Sequence, residues 1–137
     1  IKDALKHLKE CYNMCDVIVA HNIKFDNTML IVESMRNDMP VIIERNNKNV
    51  SHYCTMSNSI EMCNIVIETE TGSYKKFPKQ IELHDHLFPS SIINTSKLHN
   101  SFNDILLCLR CYIKMIYDED IIEKNNDLKK YFKMLLY

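Results

Sequence analysis

Two short clusters of histidine, asparagine and aspartate are the residues of this chain that could carry chemistry. One is the run AHNIKFD, from Ala20 to Asp26, and the other is KLHNSFND, from Lys97 to Asp104. Carboxylate and imidazole groups bind cations and transfer protons near neutral pH. His99 precedes Asp104 by five residues, so a histidine in a loop and a carboxylate inside the start of a helix can face one cavity. The spacing therefore predicts a site that contains both side chains.

Each of these residues also has an ordinary structural interpretation. Asp26 could interact favourably with the positive end of a helix dipole, Asp104 could cap a helix, and His99 could be a surface histidine. Taken singly, each ordinary interpretation is favoured. Taken together, the order strand, Asp, long gap, His, Asp and buried helix favours a functional site.

Apolar residues at three- and four-residue steps predict the helices that must position these clusters. The predicted helices cover residues 1–15, 24–38, 78–88 and 102–117, and a last amphipathic segment begins at Asn125. Short apolar runs predict main strands at Val17–Ala20 and Val50–Thr55, with a further short strand at Val41–Ile43. We expect a short helix over residues 57–64 and a loop or small hairpin over residues 66–76.

Helices that separate strands indicate an α/β fold with a parallel, helix-covered sheet. Val17–Ala20 has no polar alternation, which predicts a strand that is buried on both faces. Open α/β sheets bind ligands at the carboxyl ends of their strands, and the first cluster follows that strand directly. Because two strands do not make a stable sheet, we expect part of the sheet to lie upstream of Ile1.

The helical pattern also predicts which faces are buried and where one helix begins. The stripe of Phe25, Met29, Val32 and Met35 is expected to face the core. Ser101-x-x-Asp104 resembles a capping box with Asp in place of Glu. The helix over 102–117 is apolar nearly all round, which predicts deep burial on every side.

Composition excludes several classes of function. The chain has 137 residues and a single glycine, so it cannot build a Gly-rich phosphate loop or a dinucleotide fingerprint. The net charge is -1 and the pI about 6.6, so no global basic field indicates nucleic acid. No apolar run approaches the length of a membrane-spanning helix, so no membrane partner is expected. Lys75, Lys76 and Lys79 form a small basic patch that is expected to be a solvated face, with phosphate contact as the alternative.

The six cysteines are expected to be reduced thiols, because no secretory signal precedes them. This predicts an intracellular protein, of the cytoplasm or nucleus, that is not secreted. Cys108-x-x-Cys111 is the one zinc-like spacing, and it lies inside an apolar helical run. Core packing is therefore the favoured interpretation of these two thiols, and a Cys-based metal-binding domain stays as a weaker one.

At the two clusters the chain resembles a known family. VIVAHNIKFDNTML resembles the second motif of the DEDD exonucleases, the DnaQ-like 3′–5′ exonucleases of the RNase H-like fold. KLHNSFNDILLCLRCY resembles their third motif in its DEDDh form, in which a His precedes the last Asp by five. CTMSNSIEMCN and YKKFPKQIELHDHLF resemble the linking region. The resemblance covers residues 1–117, which leaves 118–137 as a C-terminal helical extension.

The resemblance implies phosphodiester hydrolysis with two divalent ions, Mg²⁺ or Mn²⁺, at the 3′ ends of single-stranded or frayed DNA or RNA. It implies that Asp104 and Asp26 are metal ligands, and that His99 is the general base. Asn22 would orient the site or touch the terminal nucleotide. His21 and Phe25 would complete the substrate contacts.

The family's first motif, Asp-x-Glu on an upstream strand, is absent from these 137 residues. Asp3 is no substitute, because it lies on a helix and no Glu follows two residues later. The expectation is the carboxyl-terminal two-thirds of an exonuclease domain, with a partial RNase H-like fold. Helices would flank the parallel part of a mixed sheet, whose upstream antiparallel strands are absent. Alone, this fragment should be inactive and fold poorly. The alternative is a non-catalytic remnant of the same fold that binds nucleic acid or protein.

Overall fold

The computed structural model describes residues 1–41, 50–133 and 135–136, and the chain divides into two compact units. The first unit is Ile1–Cys54 and the second is Thr55–Tyr137. The strand predicted at Val41–Ile43 falls, beyond its first residue, outside the described residues. The α/β class is confirmed by a parallel pair of strands in the first unit and an antiparallel pair in the second.

The first unit is a β-α-β arrangement preceded by a helix. Its elements are α1 (Lys2–Met14), β1 (Val17–Ala20), α2 (Ile23–Arg36) and β2 (Ser51–Cys54). The two strands pair in parallel, with Val17 opposite Ser51 and Ala20 opposite Cys54. All four predicted elements are confirmed to within about two residues at their ends, the usual uncertainty of helix and strand boundaries.

The core of the first unit lies between α1 and the strands. Leu5 and Tyr12 are buried, and Ile18, Leu30, Met39 and Val50 pack against them. β1 is half-buried along its whole length, so the prediction of burial on both faces is wrong. Among the described residues β1 has one strand neighbour, β2, and its side chains receive less cover than those of a strand inside a wider sheet.

The buried face of α2 is not the predicted one. Phe25, Met29 and Met35 are exposed, whereas Ile23 and Ser34 are buried on the other side of the helix. Both faces of α2 carry apolar side chains, so periodicity alone does not select the face that packs. The Ser34 hydroxyl fits the buried side because it donates to the Leu30 carbonyl at 2.8 Å.

The second unit begins with two short helices and a hairpin, and the rest of it is helical. Its elements are α3 (Thr55–Asn58), α4 (Ile60–Cys63), β3 (Val66–Thr69), β4 (Gly72–Lys75), α5 (Gln80–Leu87), a 3₁₀ turn (Thr95–Lys97), α6 (Ser101–Tyr117), α7 (Ile121–Lys124) and α8 (Asn126–Phe132). β3 and β4 are antiparallel, which confirms the hairpin among the two predicted alternatives. Among the described residues, no helix combines the length and apolar character that crossing a membrane requires.

α6 is the helix on which the second unit packs. Its buried residues are Leu106, Leu107, Cys108, Arg110 and Cys111. The prediction of burial all round is wrong, because Phe102, Ile105 and Tyr117 are exposed on other faces. The segment after residue 117 packs on the buried face through Ile122, Phe132 and Leu135.

Cys108 and Cys111 are core residues of the second unit, as the sequence predicts. Both are buried, and burial raises the pKa of Cys111 far above its usual range. Burial also raises the pKa of Cys63. The thiols of Cys63 and Cys111 are therefore protonated near neutral pH.

A buried arginine ties α5, α6 and the start of α7 together. Arg110 donates through Nε and Nη2 to the two carboxylate oxygens of Asp120, at 3.0 and 2.6 Å. Its Nη1 donates to Ser91 Oγ at 2.9 Å and lies 3.0 Å from His84 Nε2. The guanidinium also lies over the ring of Phe88, 3.9 Å from its centroid. These partners satisfy a charge that would otherwise be buried at high cost.

The same contacts fix the protonation of His84, which is fully buried. Because Arg110 is a permanent donor, Nε2 of His84 must accept, and Nδ1 carries the proton toward Asp85 at 3.3 Å. Burial is the main cause that lowers the pKa of His84, and the charge of Arg110 adds to it. Burial opposes the charge of Asp120, but Arg110 and the Ile122 N–H outweigh it and hold the pKa of Asp120 below its usual value.

We predict that Asp120→Asn lowers the free energy of unfolding by about 3 kcal/mol, because it leaves the Arg110 guanidinium buried without its counter-charge. Urea denaturation measures the change. Asp118→Asn is the matched control, since Asp118 also pairs with a cation of α6, Lys114, but is exposed. The control should change stability little. Equal effects of both variants would contradict the importance of the buried pair.

Stability should also fall as the pH falls through the acid range. The folded-state pKa of His84 lies below its ordinary value of 6.5, so the unfolded chain binds more protons below that pH. The contribution of His84 is therefore complete above about pH 6.5 and is lost as the pH falls toward its lowered pKa. We measure the free energy of unfolding by urea denaturation at pH 7.5 and 5.5. Between these two pH values, we expect it to fall less for His84→Gln than for the wild type. His86→Gln, an exposed control on the same helix, should keep the wild-type loss.

Candidate functional site

The predicted site residues divide between the two units. His21, Asn22, Phe25 and Asp26 belong to the first, and His99 and Asp104 belong to the second. A site shared by Asp26 and Asp104 therefore stays a prediction.

His99 and Asp104 line one cavity of the second unit, as their spacing predicts. The cavity has a volume of about 450 Å³, within the range of small-ligand sites. Its polar lining also includes Lys79 and Gln80 from the start of α5. The apolar wall is formed by Ile81, Leu98 and Leu107. The cavity thus combines a carboxylate, an imidazole, an amide and an ammonium group with an apolar surface.

Asn100, and not Ser101, caps the helix that carries Asp104. The Asn100 side chain accepts a hydrogen bond from the Phe102 N–H at 3.0 Å. The predicted capping box of Ser101 and Asp104 is therefore wrong, and the cap lies one residue earlier, because asparagine is as good a cap as serine and precedes it. Asp104 becomes the fourth residue of α6, and its N–H donates to the Asn100 carbonyl at 2.9 Å. Since the cap is supplied elsewhere, the carboxylate of Asp104 is not used as one.

Gln80 connects the start of α5 to the start of α6. Its Nε2 donates to the carbonyl oxygen of Asp104 at 2.5 Å. This contact fixes the backbone of Asp104 at the cavity wall. Sequence reasoning missed Gln80 and placed Lys79 only in a basic patch, because only the packing of α5 on α6 brings both residues to the cavity. Pro78, which precedes them, predicts where a helix begins, but it does not predict which helix packs against that start.

His99 has a left-handed backbone, with φ of 65°. Asp38, Asn64 and Asp118 also have positive φ, and each follows the end of an α-helix, where this conformation is common. His99 instead leads from the 3₁₀ turn into α6. Its side chain is exposed at the cavity, so the imidazole is accessible to a ligand and to solvent.

The cluster of the first unit lies at the carboxyl end of β1, as predicted. His21 and Asn22 are half-buried, and Phe25 and Asp26 are exposed in the first turns of α2. Asn22 precedes the helix with a left-handed backbone, φ 78°. Although Asp26 is exposed as a residue, partial desolvation of its carboxyl group raises the pKa. Its own backbone N–H and the nearby His21 oppose that shift.

The two clusters share a pattern that sequence reasoning did not use. Each reads His-Asn-x-x-x-Asp, from His21 to Asp26 and from His99 to Asp104. In both, the Asn is the residue before the helix and the Asp is its fourth residue. The backbones differ, because Asn22 is left-handed in the first cluster and His99 in the second.

The oxygen donors of these clusters suit a hard divalent cation, but neither cluster is a complete site. Among the described residues, no group of three His, Cys, Asp or Glu side chains is arranged to hold a metal ion. Mg²⁺ commonly binds through one or two carboxylates, with waters and substrate phosphates as its other ligands. Asp104 with His99 beside it therefore fits part of such a site.

Comparison of the chain with protein-family models, with curated proteins and with solved structures finds no match.

The left-handed backbone of His99 predicts an ordering of variants by stability. Because a side chain with a Cβ costs about 1 kcal/mol in this conformation and glycine does not, His99→Gly should be more stable than His99→Ala by about that amount. Urea denaturation of both variants measures the difference. His86→Gly and His86→Ala are the control pair, and there the order should reverse, since His86 lies inside helix α5. If His99→Gly is less stable than His99→Ala, the inference of backbone strain at His99 is contradicted.

Proposed function

We propose that the chain is part of a 3′–5′ exonuclease domain of the DEDDh type with an RNase H-like fold. It would hydrolyse phosphodiester bonds at the 3′ ends of single-stranded or frayed DNA or RNA. The observation that carries the proposal is the cavity that His99 and Asp104 line together. The spacing of these two residues in the third motif predicts that arrangement.

Three further features support the proposal. Asn100 caps α6, which leaves the carboxylate of Asp104 available to a ligand. Asp26 lies just after the carboxyl end of a parallel strand, where α/β proteins bind their ligands. Between the two clusters the chain has the expected order of a second parallel strand followed by helices.

Each residue has a defined task in this reaction. Asp104 and Asp26 would hold the divalent ions, Mg²⁺ or Mn²⁺, which when bound neutralise charge and lower the pKa of water. His99 would take the proton from the attacking water, because an imidazole is poised to accept a proton near pH 7. As oxygen bonds to phosphorus, the bond to the leaving oxygen breaks, and that oxygen takes a proton. Asn22 would orient the strand end, with His21 and Phe25 beside it.

The proposal predicts three losses of activity in a longer chain that also carries an upstream strand with Asp-x-Glu. Asp26→Asn and Asp104→Asn should each slow Mg²⁺-dependent release of a 3′ label by orders of magnitude, because the amide loses the charge that holds the cation. His99→Asn should slow it about 10²–10⁴-fold, and Asn tolerates the left-handed backbone. Raising the pH should recover part of the His99→Asn rate, because hydroxide replaces the base.

Two matched controls separate site effects from general damage. Asp127→Asn changes a carboxylate that is also in the first turn of a helix capped by asparagine, α8. His86→Asn changes an exposed histidine of the same unit. Both should keep the wild-type rate. An unchanged rate for His99→Asn at pH 7 would remove His99 from the mechanism. A longer chain that binds oligonucleotide without degrading it would instead establish the non-catalytic alternative.

The 137-residue chain itself offers a second readout. We expect Mn²⁺ to broaden the NMR signals of the His99 imidazole, since a cation on Asp104 would lie in the same cavity. Asp104→Asn should abolish the broadening, and Asp127→Asn should leave it. Equal broadening in both variants would contradict the assignment of Asp104 as a ligand.

A further inference from the structure

Three lysines lie close together in the sequence before α5, but their surroundings differ. Lys75 is paired with Glu61, and Lys76 is paired with Glu82 at 2.5 Å. Lys79 lines the cavity of His99 and Asp104. From the sequence, the three lysines form one basic patch. In the structure, Lys79 differs from the other two because it lines a cavity.

Lys79 lies near Glu82, but the ion pair of Glu82 is with Lys76. Glu82 is paired with the ammonium of Lys76 and accepts a hydrogen bond from the backbone N–H of Lys79 at 2.7 Å. The contact with Lys76 is the main cause that holds the pKa of Glu82 below its usual range. The charge of Lys79 also lowers the pKa of Glu82, but less than the contacts with Lys76 do. Lys79 therefore keeps a positive charge that a ligand in the cavity can use.

Without a bound divalent ion, a positive charge at this cavity would favour the binding of a nucleic-acid strand. Each phosphodiester is an anion, and the carboxylate of Asp104 on the same wall repels it. Among the lining residues, Lys79 carries the one permanent positive charge. On the other side, Ile81, Leu98 and Leu107 form an apolar surface that suits a sugar or a base.

We propose that Lys79 contacts a phosphate of the strand whose end occupies this cavity. The inference deepens the proposed function and rests on it. Lys79 acts as a binding residue, separate from the proton transfer assigned to His99. Lys75 and Lys76 would contribute little, because glutamates already neutralise them.

The salt dependence of binding tests this contact without any reaction. The 137-residue chain is titrated with a short single-stranded oligonucleotide that has a 5′ fluorophore and a free 3′ end, in EDTA and at several salt concentrations. Each phosphate neutralised by a lysine adds about 0.7 to the slope of log K against log salt for single strands. Lys79→Gln should therefore reduce the slope by about 0.7, and Lys79→Arg should retain it.

Lys75→Gln is the matched control, since it removes an exposed lysine from the same segment that a glutamate already engages. It should leave the slope unchanged. An unchanged slope for Lys79→Gln would overturn the inference, and so would an equal reduction for Lys75→Gln. Failure of the wild-type chain to bind at low salt would also overturn it.

The exonuclease proposal fails in a different measurement. If the longer chain releases no 3′ label while the slope still depends on Lys79, the reaction is refuted and the phosphate contact stands. If the label is released while Lys79→Gln keeps the wild-type slope, the reaction stands and the phosphate contact is refuted.

Discussion

The second unit depends on the burial of one guanidinium. Arg110 is almost fully removed from water, which would cost several kcal/mol without compensating partners. Its partners come from α5, from the connection after α5, and from the residue that caps α7. Because each partner must keep hydrogen-bond geometry, the network sets the position of α5 on α6 more strictly than apolar contacts would. Apolar contacts tolerate sliding, whereas a bidentate ion pair does not.

The position of α5 on α6 also fixes residues that line the cavity. Gln80 and His84 lie one turn apart on the same side of α5, and they contact Asp104 and Arg110 of α6 respectively. Two contacts at successive turns fix both the rotation and the register of α5. Lys79 and Gln80 are held at the cavity for this reason, and the carbonyl of Asp104 is fixed by the second of them. The buried network at one end of α5 thus positions the polar wall at the other.

The sequence predicts the elements well and the faces poorly, for a physical reason. Helix and strand periods are local properties, so α1, β1, α2 and β2 are found from the chain alone. The face of α2 that packs depends on which neighbour covers it, and Phe25 is exposed although it belongs to a regular apolar stripe. The same limit explains why the sequence does not predict the role of Gln80, since Gln80 reaches Asp104 only because α5 packs on α6. The choice between Asn100 and Ser101 as the cap is decided by one residue of register, which propensity does not resolve.

The shared cavity of His99 and Asp104 could be predicted because both residues lie on one short stretch of chain, before and inside the start of a helix. The relation of Asp26 to that cavity spans two units, and no local rule determines it.

The charges available to a ligand also depend on contacts that the sequence does not show. A net charge of -1 excludes a global basic surface, yet it does not exclude attraction of an anion at one point. Pairing within the chain removes Lys75 and Lys76 from the count and leaves Lys79 at the cavity. Local pairing, which only the folded chain defines, therefore decides which lysine charge lies at the cavity.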